Sequence, residues 1–266
     1  MSDKERAASF EVERAPRVLV TAGGGGIGHC IAGHFARAGY RVHVCDVSES
    51  ALKQLNVSDP AIGTSLCDVS DAEAVEHLFD EVVQRFGGLD FLINNAGIAG
   101  PTAPVEEVTP TEWRQTMAVN IDGQFYCARH AVPLLKRAGG GGIVNISSVA
   151  GRLGYPMRSP YAASKWAVIG FTQSLAMELG DFNIRVNSIL PGSVEGDRMA
   201  RVNVARAEKL GISVDEVIRR DLSSTSLHCY IAPAHVAAMA LYLCSEPGSA
   251  ISGQSLNVCG NVETLR

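Results

Sequence analysis

A tyrosine, a lysine one helical turn later and a run of glycines after a strand are the residues of this sequence best suited to chemistry. Tyr161 and Lys165 stand four apart in Tyr161-Ala162-Ala163-Ser164-Lys165, at the start of a segment with helical periodicity. That spacing puts both side chains on one helix face. A phenol with its ordinary pKa of about 10 is a poor base at neutral pH. An ammonium beside it favours the phenolate and lowers that value. Such a phenol can take the hydroxyl proton of an alcohol while a hydride leaves the adjoining carbon, or return a proton in reverse. Alone, the two residues fit an ordinary amphipathic pair more simply. Their chemical meaning depends on a site for a hydride carrier.

Thr21-Ala22-Gly23-Gly24-Gly25-Gly26-Ile27-Gly28 supplies the pattern of such a site. It lies between an apolar run, residues 18–20, and a helical pattern over 27–38. Glycines there allow a tight turn and close approach of the backbone to a pyrophosphate, which the helix N-terminus attracts. Ala22, Gly24, Gly25, Gly26, Ile27 and Gly28 are the candidate contacts. Asp46 ends the next apolar run, 18 residues after Gly28. A carboxylate there can accept from the adenosine ribose hydroxyls and repels a 2′-phosphate. No Lys or Arg lies in 21–28, and Val47 and Ser48 beside Asp46 are uncharged, so NAD is the expected cofactor. Asp46 and Val47 join the candidate contacts.

The elements that must hold these residues alternate. Short apolar runs at 18–20, 42–45, 91–93, 143–146, 185–189 and 255–259 read as strands. Helical patterns cover 27–38, 71–86, 111–137, 161–179 and 233–245, with Asp71 a first-turn acid and Pro233 a start signal. Apolar strands alternating with helices predict an α/β fold, a doubly wound parallel sheet (Rossmann) with helices on both faces. One domain is expected over 16–266, behind a charged, flexible tail at 1–15. Residues 193–228 interrupt the alternation and read as a lid over the strand ends.

Asn94-Asn95-Ala96-Gly97, Ile146-Ser147-Ser148, the Tyr161–Lys165 segment and Pro191-Gly192 follow the glycine loop in that order. Together they resemble the short-chain dehydrogenase/reductase family in its single-domain form, from Val18 to about Val262. The resemblance implies an oxidoreductase with Asn120, Ser148, Tyr161 and Lys165 as the catalytic set. Ser148, 13 residues before Tyr161, holds the substrate oxygen, and Ser147 faces the other side of the strand. Asn120 supports a water-linked proton route near Lys165. Asp68 and Val69 flank the adenine; Asn95, Ala96 and Gly97 line the cofactor channel; Lys165 also binds the nicotinamide ribose. Tyr161, Pro191, Gly192 and Val194 border the nicotinamide. The resemblance further implies a homo-oligomer, dimer or tetramer, pairing through helices 111–137 and 161–179, with residues 255–265 against a neighbour. Three departures stand out. Ala22 replaces the family's usual Gly, Cys259 replaces its acidic residue near Ser252-Gly253-Gln254, and Glu195-Gly196-Asp197-Arg198 stands where a Thr often follows Pro-Gly.

The leading function is NAD(H)-dependent interconversion of a secondary alcohol and a ketone, with EC class 1.1.1. The alternatives are an NADPH-dependent 3-oxoacyl-thioester reductase and a non-catalytic nucleotide-binding scaffold. The scaffold reading would require loss of Tyr161 or Lys165, and both are present. On the substrate side, Arg152, Arg158, Arg198, Arg201 and Arg206 suggest an acidic or phosphorylated substrate. They fit solvated side chains, or pairs with Glu195, Asp197 and Glu208, more simply.

Composition speaks against other partner classes. Of 266 residues 23 are Lys or Arg and 28 Asp or Glu, a net charge of −5 that offers no basic surface for nucleic acid. No apolar run approaches a membrane span. Seven scattered cysteines, odd in number and without a CxxC pair, suit a reducing cytoplasm. Seven histidines without HxH or HExxH spacing give no metal site.

Overall fold

A computed structural model describes residues 14–262. Most of the expected tail, 1–13, and residues 263–266 lie outside the described residues. Seven strands, β1 Arg17–Thr21, β2 Arg41–Asp46, β3 Gly63–Leu66, β4 Phe91–Asn94, β5 Gly141–Ile146, β6 Ile184–Pro191 and β7 Ser255–Val258, form one parallel sheet. Its order is β3-β2-β1-β4-β5-β6-β7. The chain reverses direction across the sheet between β1 and β4, which opens a crevice at their C-terminal ends, where α/β sheets bind ligands.

Successive residues of a strand face opposite sides of a sheet, and the core divides accordingly. Leu19, Leu92 and Ile143 face one side, with Val75, Leu78, Phe79 and Val82 of α3 (Ala72–Phe86) and Leu135 of α5 (Gly123–Ala138). Val18, Val20, Ile93 and Val144 face the other, with Ile31 and Phe35 of α1 (Gly26–Arg37) and Val236, Ala240 and Leu243 of α9 (Pro233–Cys244). All of these are buried. At roughly 25 cal/mol per Å² of apolar surface, burial on both faces is the main stabilising contribution. Among the described residues no helix is long and apolar enough to cross a membrane.

Three features differ from the sequence reading. First, a helix at Glu49–Ser58 (α2) and the strand β3 stand where no element was expected. β3, Gly-Thr-Ser-Leu, is an edge strand with one neighbour and lacks an apolar run. Second, the helix expected over 111–137 is broken. α4 (Pro110–Met117) passes through a π turn at Ala118–Asp122 into α5. Asn120 sits in that turn, fully buried, where π turns often mark functional positions. Third, Asp71 precedes α3 as its cap, accepting from the N–H groups of Glu73 and Ala74. Residues 193–228 form α7 (Asp197–Leu210) and α8 (Val214–Ser223) beside the C-terminal end of β6.

Candidate active site

The glycine loop is the turn from β1 into α1. The Gly24 N–H donates to Asp46 Oδ2 (3.0 Å) and the Ser48 N–H to Asp46 Oδ1 (2.9 Å), so the carboxylate is fixed beside the loop. Gly25, the residue before α1, offers no side-chain cap, which leaves first-turn N–H groups free to meet an anion. A Cβ on Gly25 or Gly26 would meet nothing within 4 Å, so the loop is open on that side. Gly28 is the opposite case: a Cβ would lie 2.1 Å from the Ala22 carbonyl oxygen and 2.5 Å from Asn95 Nδ2. Asn95 ties the loop to the end of β4 by donating from Nδ2 to the Thr21 and Ala22 carbonyls (3.0 and 3.1 Å). These residues fit a dinucleotide.

Ala22 adopts φ +51, in the left-handed region where an L side chain is strained. Ala22→Gly is therefore expected to stabilise the fold by about 0.5–1 kcal/mol. Urea unfolding of the two proteins measures the difference; an unchanged or lower midpoint would contradict it.

A cavity of about 430 Å³ runs from this loop over the sheet to α7. Ala22, Gly25, Gly26, Ile27, Asp46, Asn95 and Gly97 border one part. Ser148, Tyr161, Lys165, Pro191, Gly192 and Val194 border another. Gly192 packs against Cys259, where a Cβ would approach to 2.9 Å. Gly24, Gly28 and Ala96 lie behind this wall rather than in it. Val47 is exposed, Val69 is buried against Gly123, and Asp68 is exposed, accepting from the Ser70 N–H and hydroxyl.

The four proton-handling residues converge from three elements. Ser148 follows β5, Tyr161 and Lys165 lie on α6 (Ser159–Leu179), and Asn120 comes from the π turn. Lys165 Nζ donates to the Ile146 carbonyl (2.8 Å), which aims the ammonium along the cavity floor. Asn120 Oδ1 accepts from the Ile98 N–H (2.7 Å), and Nδ2 donates to the Ile98 carbonyl (3.1 Å) and Ser164 Oγ (3.0 Å). A Cβ on Gly97 would lie 3.1 Å from Asn120 Oδ1 and 3.4 Å from Lys165 Nζ, so both polar groups reach the same point. Ser147 also borders the cavity, but its hydroxyl turns to α6, where it donates to the Lys165 carbonyl (2.8 Å).

Electrostatics favour an ionisable phenol. Burial raises the pKa of Tyr161. Arg198, then Lys165, the Ser148 hydroxyl and Arg158 outweigh it and bring the phenol below its ordinary value. Burial, with Arg198 adding to it and Tyr161 opposing, pushes Lys165 down to about 8. The Lys165 influence on the phenol was legible in the four-residue spacing. The larger Arg198 influence was not, because only the folding of α7 brings that residue to within 5.8 Å of the Tyr161 ring centroid. Arg198→Gln is accordingly expected to raise the phenol's pKa. The alkaline rise of kcat/KM for alcohol oxidation then moves to higher pH, and an unmoved profile would contradict the influence.

The remaining arginines divide. Arg152 donates to the Ser255 carbonyl (2.7 Å) at the sheet edge, and Arg206 pairs with Asp221 (2.8 Å) rather than with Glu208. Arg158, Arg198 and Arg201 border the cavity.

Comparison with known proteins finds relatives of the same fold. The pattern of the short chain dehydrogenase family matches residues 16–207. A putative ketoacyl reductase of Streptomyces coelicolor is 35% identical over 251 residues, 92% of this chain and 95% of that protein. Two solved structures superpose closely. An NAD+-bound xylitol dehydrogenase has a TM-score of 0.89 at 30% identity, covering 92% of this chain and 98% of its own. An actinorhodin polyketide ketoreductase variant with NADPH has a TM-score of 0.87 at 34% identity, covering 92% and 96%.

Proposed function

The chain belongs to the short chain dehydrogenase family, and from that premise we propose that it is an NAD(H)-dependent oxidoreductase interconverting a secondary alcohol and a ketone. One observation carries the reading: the Tyr161 phenol, the Ser148 hydroxyl and the Lys165 ammonium meet at one cavity, with cations lowering the phenol's pKa. Nicotinamide supplies the hydride acceptor or donor when bound. The loop 22–28 and the N-terminus of α1 hold its pyrophosphate, and Asp46 takes the adenosine ribose. Asp68 and Val69 border the adenine. Asn95, Ala96, Gly97, Pro191, Gly192 and Val194 shape the channel.

In oxidation the Tyr161 phenolate accepts the substrate's hydroxyl proton, and Ser148 donates a hydrogen bond to the oxygen that becomes the carbonyl. Lys165 stabilises the phenolate charge and reaches the nicotinamide ribose. Asn120, beside Lys165 across Gly97, supports proton exchange with solvent through a water. Residues 193–228 act as a lid on the fold's single domain and carry Arg198 over the phenol.

Asp46 favours NAD(H), because a 2′-phosphate would face a fixed carboxylate. The likeness to ketoacyl reductases, one of them solved with NADPH, favours a second reading as an NADPH-dependent 3-oxoacyl-thioester reductase. Asp46 argues against it. The reading also makes the protein a cytoplasmic homo-oligomer. Trp113, Phe125, Trp166 and Met177 of α4, α5 and α6 are exposed and available to a second copy.

The test is to mix the protein with NAD+ or NADP+ and a panel of secondary alcohols, hydroxy acids and polyols, following nicotinamide absorbance. The reading expects turnover with NAD+. Turnover with NADP+ alone would favour the second reading, and failure to bind NADH would overturn both.

A further inference from the structure

Arg158 is a buried cation with unanswered donors on the wall of the cavity. It is the residue before α6, three positions ahead of Tyr161, and is 3% exposed. Capping does not explain it, because a guanidinium has no acceptor for the helix N–H groups. Its backbone is pinned at both ends: the N–H donates to the Tyr155 carbonyl (3.2 Å), and the carbonyl accepts from the Ala162 N–H (2.9 Å). The guanidinium carbon stands over the rings of Tyr155 and Tyr161, 5.2 Å from each centroid. Nη2 donates to the Ala99 carbonyl (2.7 Å), whereas Nε and Nη1, both buried, have no partner among the described residues.

Buried charges in folded proteins are ordinarily paired, since a desolvated cation without an anion is costly. Among the described residues no carboxylate answers this one. Asp221, on α8, is engaged by Arg206 through both of its oxygens (2.8 Å each). Glu195 and Asp197 are exposed at the outer wall. The charged groups acting most strongly on Arg158 are the phenols of Tyr155 and Tyr161 and two further cations, Arg198 and Arg206. With Arg206 answered by Asp221, the cations left facing the reacting phenol are Arg158, Lys165 and Arg198.

We propose that Arg158 is an anion subsite and that the substrate is a secondary alcohol or ketone bearing a carboxylate. The inference deepens the proposed function and rests on it, since it takes this end of the cavity to hold the substrate. Nε and Nη1 lie on different edges of the guanidinium, so a planar, singly charged carboxylate answers one of them, at the edge that it shares with Nη2. Arg198, which donates to the Gly97 carbonyl (3.1 Å) on the same wall, lies close enough to add its charge. Because Nε and Nη1 are closed to water, the anion must displace part of the wall to meet either. Tyr155 is the half-buried ring that stands against them. The residue thus selects the substrate, while Tyr161 handles its proton.

The test uses benzoate and benzamide, nearly the same shape but different in charge, titrated calorimetrically into the full chain with and without NADH. Benzoate is expected to bind the unmodified protein about 10- to 100-fold more tightly than benzamide. Arg158→Gln should abolish that preference, and Arg158→Lys should keep part of it as a point charge. Equal binding of the two probes, or binding of neither, would overturn the subsite without a variant being needed. A preference that survives Arg158→Gln would place the anion on Arg198 or Arg201 and overturn the assignment. Failure of the hydride chemistry is a separate result, read from turnover and NADH binding, and leaves the benzoate preference to be judged on its own.

Discussion

Tyr161→Phe is expected to lower kcat/KM for alcohol oxidation by about 10²- to 10⁴-fold, the usual contribution of a positioned acid or base. The substitution removes one oxygen and leaves the ring, so the packing of Arg158 and Arg198 over it persists. The other phenol that borders the cavity, Tyr155, has its pKa raised by burial and is a poorer base. NADH affinity should change only severalfold, because the glycine loop and Asp46 are untouched. Nicotinamide fluorescence measures the binding, and steady-state absorbance the turnover. A variant that keeps a tenth or more of the activity would remove Tyr161 from the proton transfer.

Asp46→Ser is expected to lower the ratio of kcat/KM with NAD+ to that with NADP+ by about 10- to 100-fold, the range for charge-assisted hydrogen bonds. Two effects act in the same direction. The carboxylate no longer accepts from the ribose hydroxyls, and it no longer repels a 2′-phosphate. Both of its oxygens also receive backbone N–H groups, from Gly24 and Ser48, so a smaller residue slackens the loop for either cofactor. The ratio, rather than either rate, is therefore the measure. Asp46→Asn retains the shape without the charge and should fall between the two. An unchanged ratio would show that this carboxylate does not discriminate the cofactors.

The strands of the sheet were legible where they are buried on both faces, because a covered parallel strand reads as an apolar run. β1, β4, β5 and β6 are such cases. β3 was not, because an edge strand needs one apolar face only, and α2 behind it has few buried positions. The break at Asn120 was hidden for another reason. A π turn costs the helical pattern a single residue, and what holds it is the pairing of Asn120 with Ile98, far away in sequence. The chemical set was legible to the extent that it is local. Tyr161 and Lys165 share one helix turn, and the glycine loop and Asp46 share one βαβ unit. The charges that tune the phenol are only partly so. Arg198 acts from a helix that begins 36 residues after Tyr161, and only tertiary structure shows which arginines are paired. Arg206 looked like Arg158 in the sequence, yet one is neutralised by Asp221 and the other is not.

The central claim is that a hydride passes between a substrate carbon and the nicotinamide at this cavity. The direct measurement offers the NAD+-loaded protein secondary alcohols deuterated at the carbinol carbon and weighs the reduced nicotinamide by mass spectrometry. The account predicts one deuterium in each reduced cofactor, with none lost to water. Reduced cofactor lacking the label, or none formed from any alcohol of the panel, would contradict it.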